Sequence, residues 1–207
     1  ECALPEGVLQ VVLTSNENAG VLVSSPKIDF LTFIGSSRVG WMLRRTIADG
    51  TRMAAEHGGN AASIVRADAD LDRALPLIVR GAFYHAGQVC VSTQRLYVER
   101  SIEAEFTERL LVLAKKLKCG DARQADVDVG PLIEPREVTR VDSWVQEAVQ
   151  GGAELLLGGK SISDTVYATT VLRNAAEDSK IIKEEVFGPV VTVQPVDSLD
   201  EAIAKVN

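Results

Sequence analysis

Between residues 71 and 98 the spacing of apolar side chains changes period, and that change fixes what the chain can build there. Leu71, Ala74, Leu75, Ile78, Val79, Ala82, Phe83 and Ala86 recur every three or four residues, as on one face of an amphipathic helix. Gln94-Arg95-Leu96-Tyr97-Val98 then alternates and is rich in strand formers. Gly87 is expected to end the helix. Cys90 then falls in a short helix-to-strand connection, from which a sulfur can project into a cleft. Free cysteine is more often a small buried hydrophobe, so its place on a turn does not by itself make it a nucleophile.

The same alternation runs along the chain. Strand candidates are 8–12, after the Pro5-Glu6-Gly7 turn, then 28–34, 51–56, 61–65, 155–157, 167–172 and 190–193. The run at 28–34 is almost continuously apolar, as in a buried parallel strand. A helix over 70–86 contains Pro76, so it either starts later than its apolar face suggests or is kinked there. Ser101 is expected to cap a helix reaching Leu117, with Ile102, Phe106, Leu110, Leu113 and Leu117 inward. Pro135 opens another, with Val138, Val141, Val145 and Ala148 on one face and Gly151-Gly152 as its stop. No repeat, low-complexity tract or flexible linker interrupts this order. The pattern predicts an α/β fold with mainly parallel sheets flanked by helices.

Composition narrows the classes. A length of 207 residues allows one large domain or two small ones. The net charge of −7 argues against nucleic acid and against an anionic membrane as partners. Three cysteines without paired spacing suit a reducing compartment, and two histidines give no credible zinc spacing. No stretch approaches the roughly 18 apolar residues of a membrane helix, and no basic-then-apolar leader is present, which makes the cytoplasm the expected location. Glu1 is not an initiator methionine. Ser198 with Glu201 forms a capping box for a helix that nothing then stops, its apolar face being Leu199, Ala202, Ile203 and Val206. The chain therefore reads as a fragment, truncated at both ends.

Two stretches carry candidate chemistry beside Cys90. The strand at 28–34 runs into Gly35-Ser36-Ser37-Arg38-Val39-Gly40 and then a helix to Ala48. A strand, a glycine turn and a helix N-terminus can hold an anion through free N–H groups, although a plain serine cap has the same appearance. It is no Walker A box, since Trp41 and Met42 stand where Lys and Ser/Thr are needed, and no G-x-G-x-x-G. Glu56-His57-Gly58-Gly59-Asn60 places an acid beside two glycines, which allow close approach to a ligand.

With FYHAGQVC at 83–90, the EHGGN stretch resembles the aldehyde dehydrogenase superfamily, whose signatures are a Glu-Leu-Gly-Gly box and a Phe-x-Asn-x-Gly-Gln-x-Cys box. FIGSSRVG at 33–40 and EEVFGPV at 184–190 agree, in the family's order, so the resemblance runs along the whole chain. It implies an aldehyde dehydrogenase-like α/β fold. Residues 1–55 would be the C-terminal part of a Rossmann-like NAD(P)-binding domain, and 56–207 an incomplete catalytic domain.

The resemblance also implies an activity, the oxidation of an aldehyde to a carboxylic acid with NAD or NADP. Cys90 would be the nucleophile, passing through a thiohemiacetal and a thioester, and Glu56 the base that activates the hydrolytic water. Gly35 and Ser36 would meet the cofactor pyrophosphate, Glu185 the nicotinamide ribose, and Phe187 the nicotinamide. Without the family, Glu184-Glu185 reads as a solvated acidic pair. The family's oxyanion asparagine and its adenine-binding residues lie outside the chain. The isolated fragment is thus expected to be a weak catalyst, or a non-catalytic folded or assembly module of a homo-oligomeric parent.

Two residues depart from the family pattern. His57 replaces a leucine and reads as structural, because neighbours on a strand face opposite ways. His85 replaces an asparagine, and a Cys90–His85 hydrolase pair would require geometry that sequence proximity does not supply. Cys2 and Cys119 match no motif.

Overall fold

The structure, a computed structural model, describes residues 3–207 and divides into two units, one ending at His57 and one spanning Gly58–Asn207.

In the first unit, α1 (Asn16–Val23) is capped by Ser15. β1 (Phe30–Gly35) then pairs in parallel with β2 (Arg52–His57), and α2 (Ser37–Thr46) connects them. Two expectations fail here. Residues 8–12 form no strand and stay exposed, because among the described residues no strand lies beside them to satisfy their backbone. β1 is not buried on both faces. Its burial alternates along the strand, leaving Phe30 and Ile34 exposed. α1 was not legible, since Gly20 interrupts it and it has no apolar stripe.

The second unit holds a five-stranded sheet in the order β3-β4-β7-β6-β5. Its strands are β3 (Ala61–Val65), β4 (Thr93–Glu99), β5 (Glu154–Leu157), β6 (Thr170–Arg173) and β7 (Val190–Val196). Every pairing is parallel except β5 with β6, as the helix-strand alternation predicts. The main core joins α3 (Leu71–Phe83), α4 (Arg100–Ala114) and α5 (Pro135–Gln150) to Leu96, Val98, Val171, Val191 and Val193 of the sheet. α6 (Lys180–Lys183) is a single turn carrying buried Ile181 and Ile182. α7 (Leu199–Val206) packs Ala202 with Tyr97 and Val196 in a smaller cluster. No helix among the described residues is long and apolar enough to cross a membrane.

Local departures have local causes. α3 runs from Leu71 straight through Pro76, because the carbonyl that Pro76 leaves free belongs to exposed Asp72. α4 starts at Arg100, not after a Ser101 cap. β4 enters it directly, and the Glu99 carboxylate accepts instead from the Ala67 N–H at 2.7 Å. β6 begins at Thr170, three residues later than expected. Tyr167 is fully buried, and its hydroxyl donates to Asp142 Oδ1 at 3.0 Å.

Candidate active site

α3 stops at Phe83, and after Tyr84 (φ −53°) three successive residues are left-handed: His85 (φ 50°), Ala86 (φ 56°) and Gly87 (φ 72°). The helix was expected to continue to Ala86; a short 3-10 turn, Tyr84–Gly87, takes its place. Left-handed backbone costs about 1–2 kcal/mol for a residue with a Cβ, so the surroundings must impose it. Two side chains do so. Gln88 Nε2 donates to the His85 and Pro131 carbonyls, each at 3.2 Å, and its Oε1 accepts from Ile133 N–H at 2.9 Å. Ser92 Oγ donates to the Gly81 and Ala82 carbonyls at the end of α3.

Cys90 sits in the turn closed by Ser92 N–H donating to the Val89 carbonyl at 2.9 Å. Its side chain is exposed, and its own N–H forms no hydrogen bond among the described residues. The loop therefore presents a reachable sulfur next to an unengaged backbone donor, the pairing that acyl chemistry uses for its oxyanion.

Gly59 lies against this turn, close enough that a Cβ on it would sit 2.9 Å from the Cys90 carbonyl oxygen. Its N–H donates to Glu185 Oε1 at 3.0 Å. A Cβ on Gly58 would fall in the space that the Glu185 carboxylate occupies, and could be admitted only by moving it. The glycine pair read from sequence as allowing a ligand to approach thus admits a carboxylate from the chain itself. Glu184 is exposed while Glu185 is half-buried, so the two are not equivalent members of a solvated pair. Phe187 follows with φ 46° and is 41% exposed.

In the first unit, Ser36 Oγ caps α2 by accepting from Val39 N–H at 3.4 Å. Parallel pairing sets Glu56 opposite Ile34 and His57 opposite Gly35, at the C-terminal ends of both strands, where open α/β sheets bind ligands. His57 lies over Gly40 and edge-on to Trp41, with ring centroids 5.5 Å apart, and its Nε2 is buried without a hydrogen-bond partner among the described residues. Alternation along β2 puts Glu56, which is exposed, on the other face.

Other candidates fall away from Cys90. His85 stacks edge-on to Tyr84 at 4.0 Å, and no hydrogen bond joins its ring to the Cys90 sulfur among the described residues. Cys119 Sγ is 3.2 Å from Thr169 Oγ1, half-buried; Cys2 lies outside the described residues. No group of His, Cys, Asp and Glu side chains able to hold a metal exists among the described residues.

Sequence reading missed Gln94. It is only 5% exposed, and its carboxamide is fully used. Nε2 donates to the Ile181 (3.0 Å) and Glu184 (2.8 Å) carbonyls, and Oε1 accepts from Val186 N–H at 2.7 Å. The available signal was a glutamine at the same alternating, inward positions of β4 as Leu96 and Val98.

Comparison with known proteins agrees along the chain. The family model "Aldehyde dehydrogenase family" matches residues 1–207. A 3-sulfolactaldehyde dehydrogenase of Priestia aryabhattai is 41% identical over 100% of this chain and 43% of its own length. A benzaldehyde dehydrogenase [NAD(+)] of Pseudomonas putida is 35% identical, over 100% and 42%. The crystal structure of an NAD-dependent aldehyde dehydrogenase from Sinorhizobium meliloti superposes with a TM-score of 0.95 at 38% identity, over 99% of this chain and 42% of that one. One from Brucella melitensis biovar abortus 2308 gives 0.94 at 35%, over 99% and 43%. The chain spans about 43% of the length of the curated relatives it matches. With four motifs in order on a matching fold, the chain belongs to the aldehyde dehydrogenase family.

Proposed function

We propose that this chain carries the nucleophile, the base and part of the cofactor seat of an enzyme that oxidises an aldehyde to a carboxylic acid. The observation that supports it best is the Cys90 turn, an exposed thiol with an unengaged N–H held against the glycine that also binds Glu185. As the thiolate, Cys90 adds to the carbonyl carbon and forms a thiohemiacetal, while its N–H stabilises the oxyanion. A bound nicotinamide of NAD or NADP supplies the two-electron acceptor that makes this adduct a thioester. Glu56 takes a proton from water, the resulting hydroxide attacks the thioester carbon, and the acid leaves as the Cys90 thiolate is released.

The residues present fit such a cofactor. Glu185 keeps Oε2 free of hydrogen bonds among the described residues, able to accept from sugar hydroxyls, and the exposed Phe187 ring offers an aromatic surface. Gly35 ends β1 and Ser36 caps α2, whose first N–H groups suit a pyrophosphate. In this reading the first unit closes a nucleotide-binding domain and the second bears the nucleophile. The parent is a cytoplasmic homo-oligomer acting on a small aldehyde, without nucleic acid or membrane partners. Turnover belongs to the complete enzyme, given the share of its relatives that the chain covers.

The test uses the complete enzyme. Cys90→Ala is expected to abolish aldehyde-dependent reduction of NAD(P). Glu56→Gln is expected to keep a first-turnover burst and lose steady-state rate by about 10²-fold or more. Normal steady-state turnover in Cys90→Ala would overturn the proposal.

A further inference from the structure

We infer that Gln94 is a positioning residue for Glu185, an inference that rests on the cofactor reading above. The two bonds from its carboxamide to Glu184 O and Val186 N–H straddle residue 185, as a neighbouring strand would. The peptide groups on either side of Glu185 are thereby fixed to β4, the strand that begins three residues after Cys90. From the other side, Asn60 Nδ2 donates to the Ile182 carbonyl at 2.5 Å, and Gly59 N–H holds the carboxylate itself. The backbone and the side chain of Glu185 are thus each held by a separate element.

A buried carboxamide is costly unless its bonds are all made, and a methionine would fill the same volume without that demand. What the glutamine adds over an apolar residue is orientation, namely one placement of the 184–186 backbone and hence one placement of Glu185. Gly58 serves the same end by leaving space for the carboxylate. A carboxylate held in this way meets a hydroxyl pair with little reorganisation, whereas a loop free to shift by about 1 Å loses much of that advantage.

The experiment is a double-mutant cycle in the complete enzyme, with NAD and NADP as probes and dissociation constants read by fluorescence titration without aldehyde. Gln94→Met is expected to weaken cofactor binding about 10- to 100-fold. Alkylation of Cys90 by iodoacetamide, measured without cofactor, is expected to stay at the parent rate. In a Glu185→Ala background, Gln94→Met should add less than about 2-fold, because there is no carboxylate left to place. Gln94→Glu, which keeps an acceptor for Val186 N–H and removes the donors to the Ile181 and Glu184 carbonyls, is the arm that remains if Gln94→Met fails to fold, and it should show the same loss and the same dependence on Glu185. Equal losses with and without Glu185 would overturn the inference and make Gln94 a scaffold residue. If Glu185→Ala alone leaves affinity unchanged, the cofactor reading fails and the inference with it.

Discussion

Gly87, in the turn before Cys90, lies directly on the carbonyl of Gly188, so that a Cβ at position 87 would overlap the Gly188 oxygen. The Cys90 turn and the Glu185–Phe187 loop therefore meet backbone to backbone, with no side chain between them. Gly87 also has φ 72°, which a residue with a Cβ adopts only at a cost. Gly87→Ala is expected to destabilise the second unit by at least about 2 kcal/mol, strain and overlap together. Urea unfolding followed by circular dichroism measures this, and an unchanged midpoint would show that the two loops are free to separate.

His57 offers a substitution in the opposite direction. Its Nε2 is buried against Gly40 and Trp41, without a hydrogen-bond partner among the described residues. An unsatisfied buried polar atom costs free energy, so His57→Leu is expected to leave stability unchanged or raise it by up to about 1 kcal/mol. A loss larger than that in chemical unfolding would mean that the imidazole makes a needed bond.

The alkaline limit is set in part by Tyr167. Burial first, and the adjacent Asp142 carboxylate second, push its phenol above the ordinary range. A folded pKa above the unfolded one favours the neutral phenol. The contribution is therefore whole below the ordinary phenol value of about 10, and it is lost as pH rises above that value. Unfolding free energies between about pH 8 and 11 should fall for the parent chain and fall less for Tyr167→Phe, which starts about 1–2 kcal/mol lower because its hydrogen bond is gone.

On the acid side, Glu154 is held below the usual carboxylate range by its hydrogen bond from Arg173 and a second from Asn174, and Asp197 by Arg100. Depressed folded values mean that these contributions are present above the ordinary range of about 4 and fade as pH falls through it. Asp121 is also low, at about 2, because of Arg123. That partner is two residues away and stays near when the chain unfolds, so Asp121 is expected to matter little. Glu154 and Asp197 are exposed and Asp121 partly so, and salt should weaken the effect. Glu154→Gln should flatten the loss of melting temperature between about pH 5 and 3, and Asp121→Asn should not.

Much of the architecture was legible from the sequence, for physical reasons. α5 and β4 carry their periodicity because each buries one defined set of side chains, and Pro135 and Gly151 mark where α5 must start and stop. The strand expected at 8–12 failed because an apolar run becomes a strand only beside another strand, which is a fact about neighbours. The α4 cap was misplaced because Glu99, drawn to Ala67 across the fold, looks like any strand-end acid in sequence. In the site, Cys90 and Glu185 were named through the resemblance. The contacts that hold them, Gly58 with Glu185 and Gln94 with residues 184–186, join positions about a hundred residues apart and leave no local trace.

The proposed chemistry requires Cys90 to become covalently acylated. The most direct measurement is peptide mass mapping of the complete enzyme bearing Glu56→Gln, quenched in acid after exposure to an aldehyde and NAD(P). The expected result is an acyl mass increment on the peptide containing Cys90, absent when either aldehyde or cofactor is withheld. Turnover of the aldehyde with the increment on Cys119, or with Cys90 left unmodified, would rule out Cys90 as the nucleophile.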